Sequence, residues 1–427
     1  MIERSVRLRS HVKAIGTLLL LLACPCLSPA AGDAPTSWVD ADTGHRVICL
    51  TPEPGSASLY FNESGYTPDG TRMVYSTPDG ISTVDLHTFE RRSIVLGPVR
   101  PIGVGRKTPT VYYRKRGETA LYSADLDTGE SRKRGELPPR GNISSINSDE
   151  TLAVGTYIEG SGRDYGGSPR DAQTRNLEQP ANKGQMMVER LAAKLPMVLF
   201  TLDLRTGKIT ELLHTTDWLG HLLCSPTDPD LLMYCHEGPW HKVDRIWTIH
   251  LNGTGNTLRH ARTMAMEIAG HEFWSSDGKT IWYDLQLPKG EDFFLAGLEL
   301  TSGERTWYHL QRNEWSIHFN VSRDGRLFCG DGGDPGQVAK AEDGQWIYLF
   351  RPELKRFDPE DGKNLIRPGV LRSERLVNMA KHNYKLEPNV SFSPDGKLVI
   401  FRSNMWGETH VFGVEVEKDA SGKQPPG

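Results

Sequence analysis

Residues 392–401 read FSPDGKLVIF, and residues 274–283 read WSSDGKTIWY. In each, a polar turn closed by Asp-Gly leads into an alternating, β-rich run. Ser, Pro and Asp favour the first turn positions and Gly supplies positive φ, so Asp-Gly between apolar runs reads as a hairpin. The same pattern recurs as YTPDGTRMVY (Tyr66–Tyr75), INSDETLAVG (Ile146–Gly155), CSPTDPDLLMY (Cys224–Tyr234) and VSRDGRLFCG (Val321–Gly330). A second half-unit alternates with it: DLHT (Asp85–Thr88), DLDTGE (Asp125–Glu130), DLRTGK (Asp203–Lys208), HLNGTG (His250–Gly255) and ELTSGE (Glu299–Glu304). Together the halves make one four-stranded antiparallel sheet per repeat. A single such sheet cannot bury both faces, so the repeats must stack radially. Counting from Ala57 gives seven units, near 57–97, 98–140, 141–214, 215–263, 264–312, 313–367 and 368–417. The expected fold is therefore all-β, a seven-bladed β-propeller of four-stranded antiparallel blades. HRVICL (His45–Leu50), ahead of the first unit, is expected to add an outer strand to the last blade and close the ring, which removes exposed edges.

The expected propeller spans residues 40–417, with a flexible tail at 418–427. An insertion at 159–196 interrupts the third unit. It begins Gly- and Arg-rich and ends in a helical pattern, KGQMMVERLAAKL. It reads either as a solvated loop or as a lid whose Arg170, Arg175 and Arg190 bind an anionic substrate, since Arg suits carboxylates. Residues 1–31 read as a signal peptide: Arg4, Arg7, Arg9 and Lys13 precede the short apolar run IGTLLLLLA (Ile15–Ala23), and small residues follow. Leu21-Leu22-Ala23-Cys24 also has the form of a lipoprotein box. Both readings place the protein outside the cytoplasm, periplasmic or secreted. No other stretch is apolar for long enough to span a bilayer. A net charge of −4 gives no support for nucleic-acid binding. Cys49, Cys224, Cys235 and Cys329 are scattered, which argues against a Cys-based zinc site and fits buried small side chains. Oligomeric state is not legible.

Eleven of 14 His lie at or after His214, and nine of ten Trp at or after Trp218. A site built from the later blades is expected. His236-Glu237 and His271-Glu272 each adjoin a β-type run and a loop, where β-scaffolds place functional groups. His221 and His318 open equivalent blade positions and are expected at the central channel, in contact with substrate or metal. No G-x-S-x-G elbow, H-E-x-x-H pair or P-loop is present.

These residues carry a resemblance. WLGH (Trp218–His221), SPTDPDLLMYCHEGP (Ser225–Pro239), GHEFW (Gly270–Trp274), FNVSRDG with GDGGD, and PNVSFSPDG with FRSN resemble the oligogalacturonate lyase family, over about residues 40–417. The resemblance implies cleavage of uronate-containing oligosaccharides by β-elimination with a divalent metal, usually Mn²⁺, with Ca²⁺ or Mg²⁺ also compatible. The family's general base falls on His236 and its metal-ligand histidine on His271. Where the family has a His-Pro-His-Pro-like run, this chain reads Glu387-Pro388-Asn389-Val390. Glu387 and Asn389, with His382 just upstream, then stand as the remaining oxygen and nitrogen ligands. The implied partner is an acidic oligosaccharide. The departure at Glu387 and Asn389 leaves a second reading open, a non-catalytic TolB-like envelope propeller that binds a glycan or a protein.

Overall fold

The computed structural model describes residues 34–160, 182–356, 358 and 365–418. The signal peptide, Cys24, Arg170, Arg175 and the tail beyond 418 lie outside the described residues. Strands pair in sequence order within each blade: Ala57–Ser58 to Arg91–Leu96, Val99–Val104 to Ser131–Glu136, Asn142–Ile146 to Ile209–Thr215, and Leu219–Cys224 to Thr257–Leu258. First strands of neighbouring blades contact one another, as Asn142–Ile146 does with Val99–Val104 and with Leu219–Cys224, and so face the axis.

The turn chemistry explains the repeat. In the Ser-x-Asp-Gly turns the Ser hydroxyl donates to the Asp carboxylate two residues on, at 2.6 Å in Ser275–Asp277 and 2.7 Å in Ser322–Asp324 and Ser393–Asp395. In the Asp-Leu-x-Thr-Gly turns the Asp accepts from two following backbone N–H groups, as Asp203 does from Arg205 and Thr206. These bonds satisfy the turn backbone without a ladder partner. Seven apolar clusters lie between the blades, one at each interface. Alternate residues of one strand serve opposite interfaces: Met73 and Tyr75 pack against the seventh blade, Val74 against the second. Seven blades and seven interfaces form a closed ring.

Closure comes from the N-terminus, as the sequence implies. Arg46–Cys49 pairs with Glu408–Glu415, and Ser37–Val39 adds a fifth strand outside it. One boundary differs from expectation. Ile366–Asn378, assigned by counting to the seventh unit, is the long outer strand of the sixth blade and pairs with Trp346–Leu354. It also pairs in parallel with Arg305–His309 of the fifth blade, so these two blades share an eight-stranded sheet. The seventh blade can yield this strand because its own outer strand comes from the N-terminus. The helical pattern of the insertion forms α1 (Lys183–Ala193), N-capped by the Asn182 side chain. Cys49, Cys224, Cys235 and Cys329 are buried free thiols.

The segment 59–64, which follows the first inner strand, crosses the channel and is tied to other blades. Asn389 of the seventh blade accepts from the Phe61 N–H at 2.6 Å and donates to the Leu59 carbonyl at 2.7 Å. Asn320 of the sixth donates to the Phe61 carbonyl, and Asn62 donates to the Glu272 carbonyl of the fifth. The Ser64 carbonyl accepts from Val104 of the second. This plug separates a histidine-lined end of the channel from a turn-lined end.

Candidate active site

In the last four blades the residue four positions before the turn serine is His221, His271, His318 or Asn389, counted back from Ser225, Ser275, Ser322 and Ser393. The repeat thus delivers all four side chains to one level of the channel. His221, His271 and Asn389 have φ of 46°, 47° and 62°. The pairing register slips at the first two, between Gly220 and Leu223 and between Gly270 and Phe273. Such bulges re-aim side chains, and backbone strain of this kind collects at functional sites.

His271 and His318 are neighbours, with ring centroids 4.9 Å apart. Each is oriented by a buried aspartate. His271 Nδ1 lies 2.9 Å from Asp284 Oδ1, and His318 Nδ1 lies 2.8 Å from Asp331 Oδ2. Asp331 also accepts from the backbone N–H groups of His318 and Asn389. A carboxylate on Nδ1 fixes the proton there and leaves Nε2 as the acceptor, the usual support of a metal-binding or proton-accepting imidazole. The Tyr60 hydroxyl donates to His318 Nε2 at 2.8 Å, and burial pushes its pKa well above the ordinary tyrosine value, so it keeps its proton. Glu387 Oε2 stands 3.7 Å from His318 Nε2 on a carboxylate that is 42% exposed. Burial disfavours protonated His271, but Asp284, with Glu272 and Glu387 beyond it, outweighs burial and holds its pKa above the ordinary value.

Beside this pair sits a buried ion cluster that the sequence did not reveal. Arg245 Nη1 lies 2.9 Å from Glu237 Oε2, and Arg245 Nε lies 2.9 Å from Glu272 Oε1. Glu237 Oε1 reaches His221 Nε2 at 3.1 Å. The two glutamates therefore serve Arg245 and His221 rather than the histidines beside them in sequence. Burial works against the Glu272 carboxylate, yet Arg245 lowers its pKa to about 2. Trp240 lies under the Arg245 guanidinium and places its ring edge on His271, at a centroid distance of 5.1 Å.

His236 ends the second strand of the fourth blade, at the same end of the propeller. It stacks on Trp247 at 4.6 Å and has Asp217 at 3.8 Å. Burial, helped by Lys194 and opposed by Asp217, lowers its pKa, so it is a neutral imidazole at neutral pH. Alternation along the strand turns it away from the neighbouring Glu237, which faces the ion cluster.

A family model described as oligogalacturonate lyase matches residues 175–420. The chain belongs to the oligogalacturonate lyase family. An oligogalacturonate lyase of Dickeya dadantii is 26% identical over 403 residues, covering 89% of this chain and 95% of that protein. An oligogalacturonide lyase of Pectobacterium atrosepticum matches to the same extent. Among solved structures, an oligogalacturonate lyase in complex with manganese superposes with a TM-score of 0.71 at 24% identity, over 90% of this chain and 96% of that one. An oligogalacturonate lyase from Vibrio parahaemolyticus gives 0.70 at 22% identity, with the same coverage.

Within this family member, the expected ligand set is only partly brought together. His271 and Glu387 reach the channel cluster. His382 does not offer a donor: its Nε2 lies 2.6 Å from the Leu386 carbonyl and its Nδ1 2.9 Å from the Ser403 hydroxyl, which uses both nitrogens. Asn389 spends its side-chain amide on the plug and stands as a structural residue. His318, expected against substrate or metal, is the neighbour of His271. Arg190 is buried in α1 between Met197 and Trp218 rather than displayed on a lid. Asp284, Asp331, Tyr60 and Arg245 carry no local sequence signal. Counting back from the turn serines would have aligned the histidines, but their partners become visible only in space. Among the described residues, no three His, Cys, Asp or Glu side chains stand close enough to hold an ion as placed. The donors at hand are nonetheless of the right chemistry. Two Asp-oriented imidazoles and one exposed, rotatable carboxylate make an N₂O set suited to Mn²⁺.

Proposed function

We propose that this protein is an exported, metal-assisted lyase that cleaves uronate-containing oligosaccharides by β-elimination. The observation that carries the reading is the His271–His318 pair, each ring held by a buried aspartate, in a chain of this family. The reaction breaks the bond between C4 and the glycosidic oxygen after loss of the C5 proton. A double bond forms between C4 and C5, and the oxygen leaves with the departing sugar, taking up a proton from water to become its hydroxyl. When bound, a divalent cation neutralises the uronate carboxylate and acidifies the C5–H beside it. His271 Nε2, His318 Nε2 and the Glu387 carboxylate would hold that cation. Manganese is the favoured choice, because a relative's structure contains it and the donor set suits it.

His236, neutral and at the same end, takes the C5 proton on its free ring nitrogen. Asp284 and Asp331 keep the Nδ1 protons of His271 and His318 in place. Tyr60 holds its own proton against His318 Nε2 until a ligand displaces it. The Arg245 cluster fixes Trp240 and hence the His271 ring. The export assignment rests on the Arg-rich, apolar leader.

Unsaturated uronate absorbs in the near ultraviolet. Purified protein with Mn²⁺ should release it from oligogalacturonate. Absence of such a product from pectic and other uronate oligomers, together with no thermal shift on adding Mn²⁺ or Ca²⁺, would instead favour a glycan-binding propeller.

A further inference from the structure

The run FRSN (Phe401–Asn404) belongs to the family resemblance but supplies nothing to the proposed chemistry. Its three polar residues all bind one loop, 379–390, which joins Ile366–Asn378 to Ser391–Phe392 and carries Glu387. Arg402, in the strand Leu398–Trp406, donates from Nε to the Glu387 carbonyl at 2.8 Å, and its backbone N–H donates to the Pro388 carbonyl at 2.8 Å. Ser403 Oγ lies 2.9 Å from His382 Nδ1, and His382 Nε2 lies 2.6 Å from the Leu386 carbonyl. A carbonyl only accepts, so the His382 proton sits on Nε2, and Nδ1 accepts from the serine hydroxyl. Asn404 Oδ1 accepts from the Asn383 N–H at 2.9 Å. Asn383 closes the turn ahead of Glu387, its carbonyl accepting from the Leu386 N–H and its side chain from the Lys385 N–H.

The loop has no strand ladder of its own, so side chains and single backbone groups must satisfy its backbone. Three consecutive carbonyls, those of Leu386, Glu387 and Pro388, are each taken up in this way. On the far side, Asp331 accepts from the Asn389 N–H at 3.0 Å. Arg402, Ser403 and His382 are buried, whereas the Glu387 carboxylate stays exposed, 3.7 Å from His318 Nε2. The backbone under Glu387 is thus fixed on both sides and only its side chain can turn. A metal ligand held on an ordered backbone loses less freedom on binding, and its outer partners set its aim.

We infer that Arg402, Ser403 with His382, and Asn404 form a three-point clasp that positions Glu387 for the metal. They are positioning residues, acting through Glu387 rather than on substrate or cation, and the inference rests on the reading of Glu387 as a metal ligand. The test is a double-mutant cycle on the full-length protein, with Mn²⁺ as the probe and calorimetry as the readout. Arg402→Gln should weaken Mn²⁺ binding about tenfold or more, as loss of a residue that orients a ligand does. In a Glu387→Ala background the same substitution should change Mn²⁺ affinity by less than about twofold, because the clasp then has no carboxylate to position. Circular dichroism checks folding. Asn404→Ala, at a half-buried position, runs the same cycle if Arg402→Gln does not fold, and should weaken Mn²⁺ binding only when Glu387 is present. Three results overturn the inference. They are wild-type affinity in both Arg402→Gln and Asn404→Ala, an equal loss with and without Glu387, which marks a merely structural role, and no Mn²⁺ binding to the wild-type protein. Turnover is read separately. A non-additive cycle without unsaturated uronate product keeps the clasp and removes the lyase reading, whereas product with an additive cycle does the reverse.

Discussion

His236 and His271 are the same kind of side chain put to different uses by their surroundings. His271 faces Asp284 and two further carboxylates, which favour its protonated form. His236 lies against Trp247, where burial favours the neutral form. A general base must be unprotonated, and a lowered pKa keeps it so to lower pH. The acid limb of the lyase rate should therefore fall below pH ~6.5, the ordinary histidine value, with activity lost as pH drops through it. His236→Ala should cost about 10²–10⁴-fold in kcat while the Mn²⁺-induced thermal shift survives. If kcat is unchanged, the base is another group. The aspartates behind the histidines give the complementary prediction. Asp284→Asn and Asp331→Asn should each weaken Mn²⁺ binding by roughly 10–100-fold, the usual cost of removing a carboxylate that orients a liganding histidine. Calorimetric titration showing wild-type affinity in both would remove these histidines from the metal site.

At the scale of elements, the fourth and fifth blades are joined under the site by one buried cation and two buried carboxylates. Arg245→Met would leave Glu237 and Glu272 buried and mutually repelling. Breaking a buried pair in this way costs on the order of 3–5 kcal/mol. Denaturant titration should show that loss, and Glu237→Gln with Glu272→Gln on top should recover part of it. The contribution has a pH sign. Glu272 is depressed to about 2 from its ordinary value, so its stabilisation is full above about pH 4.5 and fades as pH falls towards 2. Stability of Arg245→Met equal to wild type would show that the cluster contributes nothing.

This cluster also marks where sequence reading stopped. Arg245 sits in an unremarkable VDRIW run, 27 residues from Glu272, and nothing local announces the contact. The turns were legible because their chemistry is confined to a few consecutive residues. The position of His271 is legible through family resemblance, and Glu387 stands where that resemblance breaks off. The roles of His382 and Asn389 were misread because similarity of position says nothing about which hydrogen bonds a replaced side chain has already made. His318 lies at the channel as its position in the repeat implies, but its pairing with His271 depends on the bulge at His271 and on a plug that the repeat count does not encode.

At the scale of the molecule, the ring holds because each blade buries both faces and the last blade borrows its outer strands from the N-terminus. Val47 is fully buried in the cluster between the sixth and seventh blades. Val47→Asp puts an unpaired charge there and should destabilise the whole ring by at least ~3 kcal/mol, seen as a single lowered thermal transition. A local loss with the main transition intact would mean that the ring does not depend on this closure. The closed ring also sets the division of the channel, with the histidines on one side of the plug and the turn loops on the other. Metal-assisted β-elimination at the histidine-lined end should show directly in the ultraviolet absorbance of oligogalacturonate incubated with the protein. A steady rise is expected with Mn²⁺, abolished by chelation and by His271→Ala. A rise that survives both treatments, or no rise with Mn²⁺ at any pH between about 5 and 9, would contradict it.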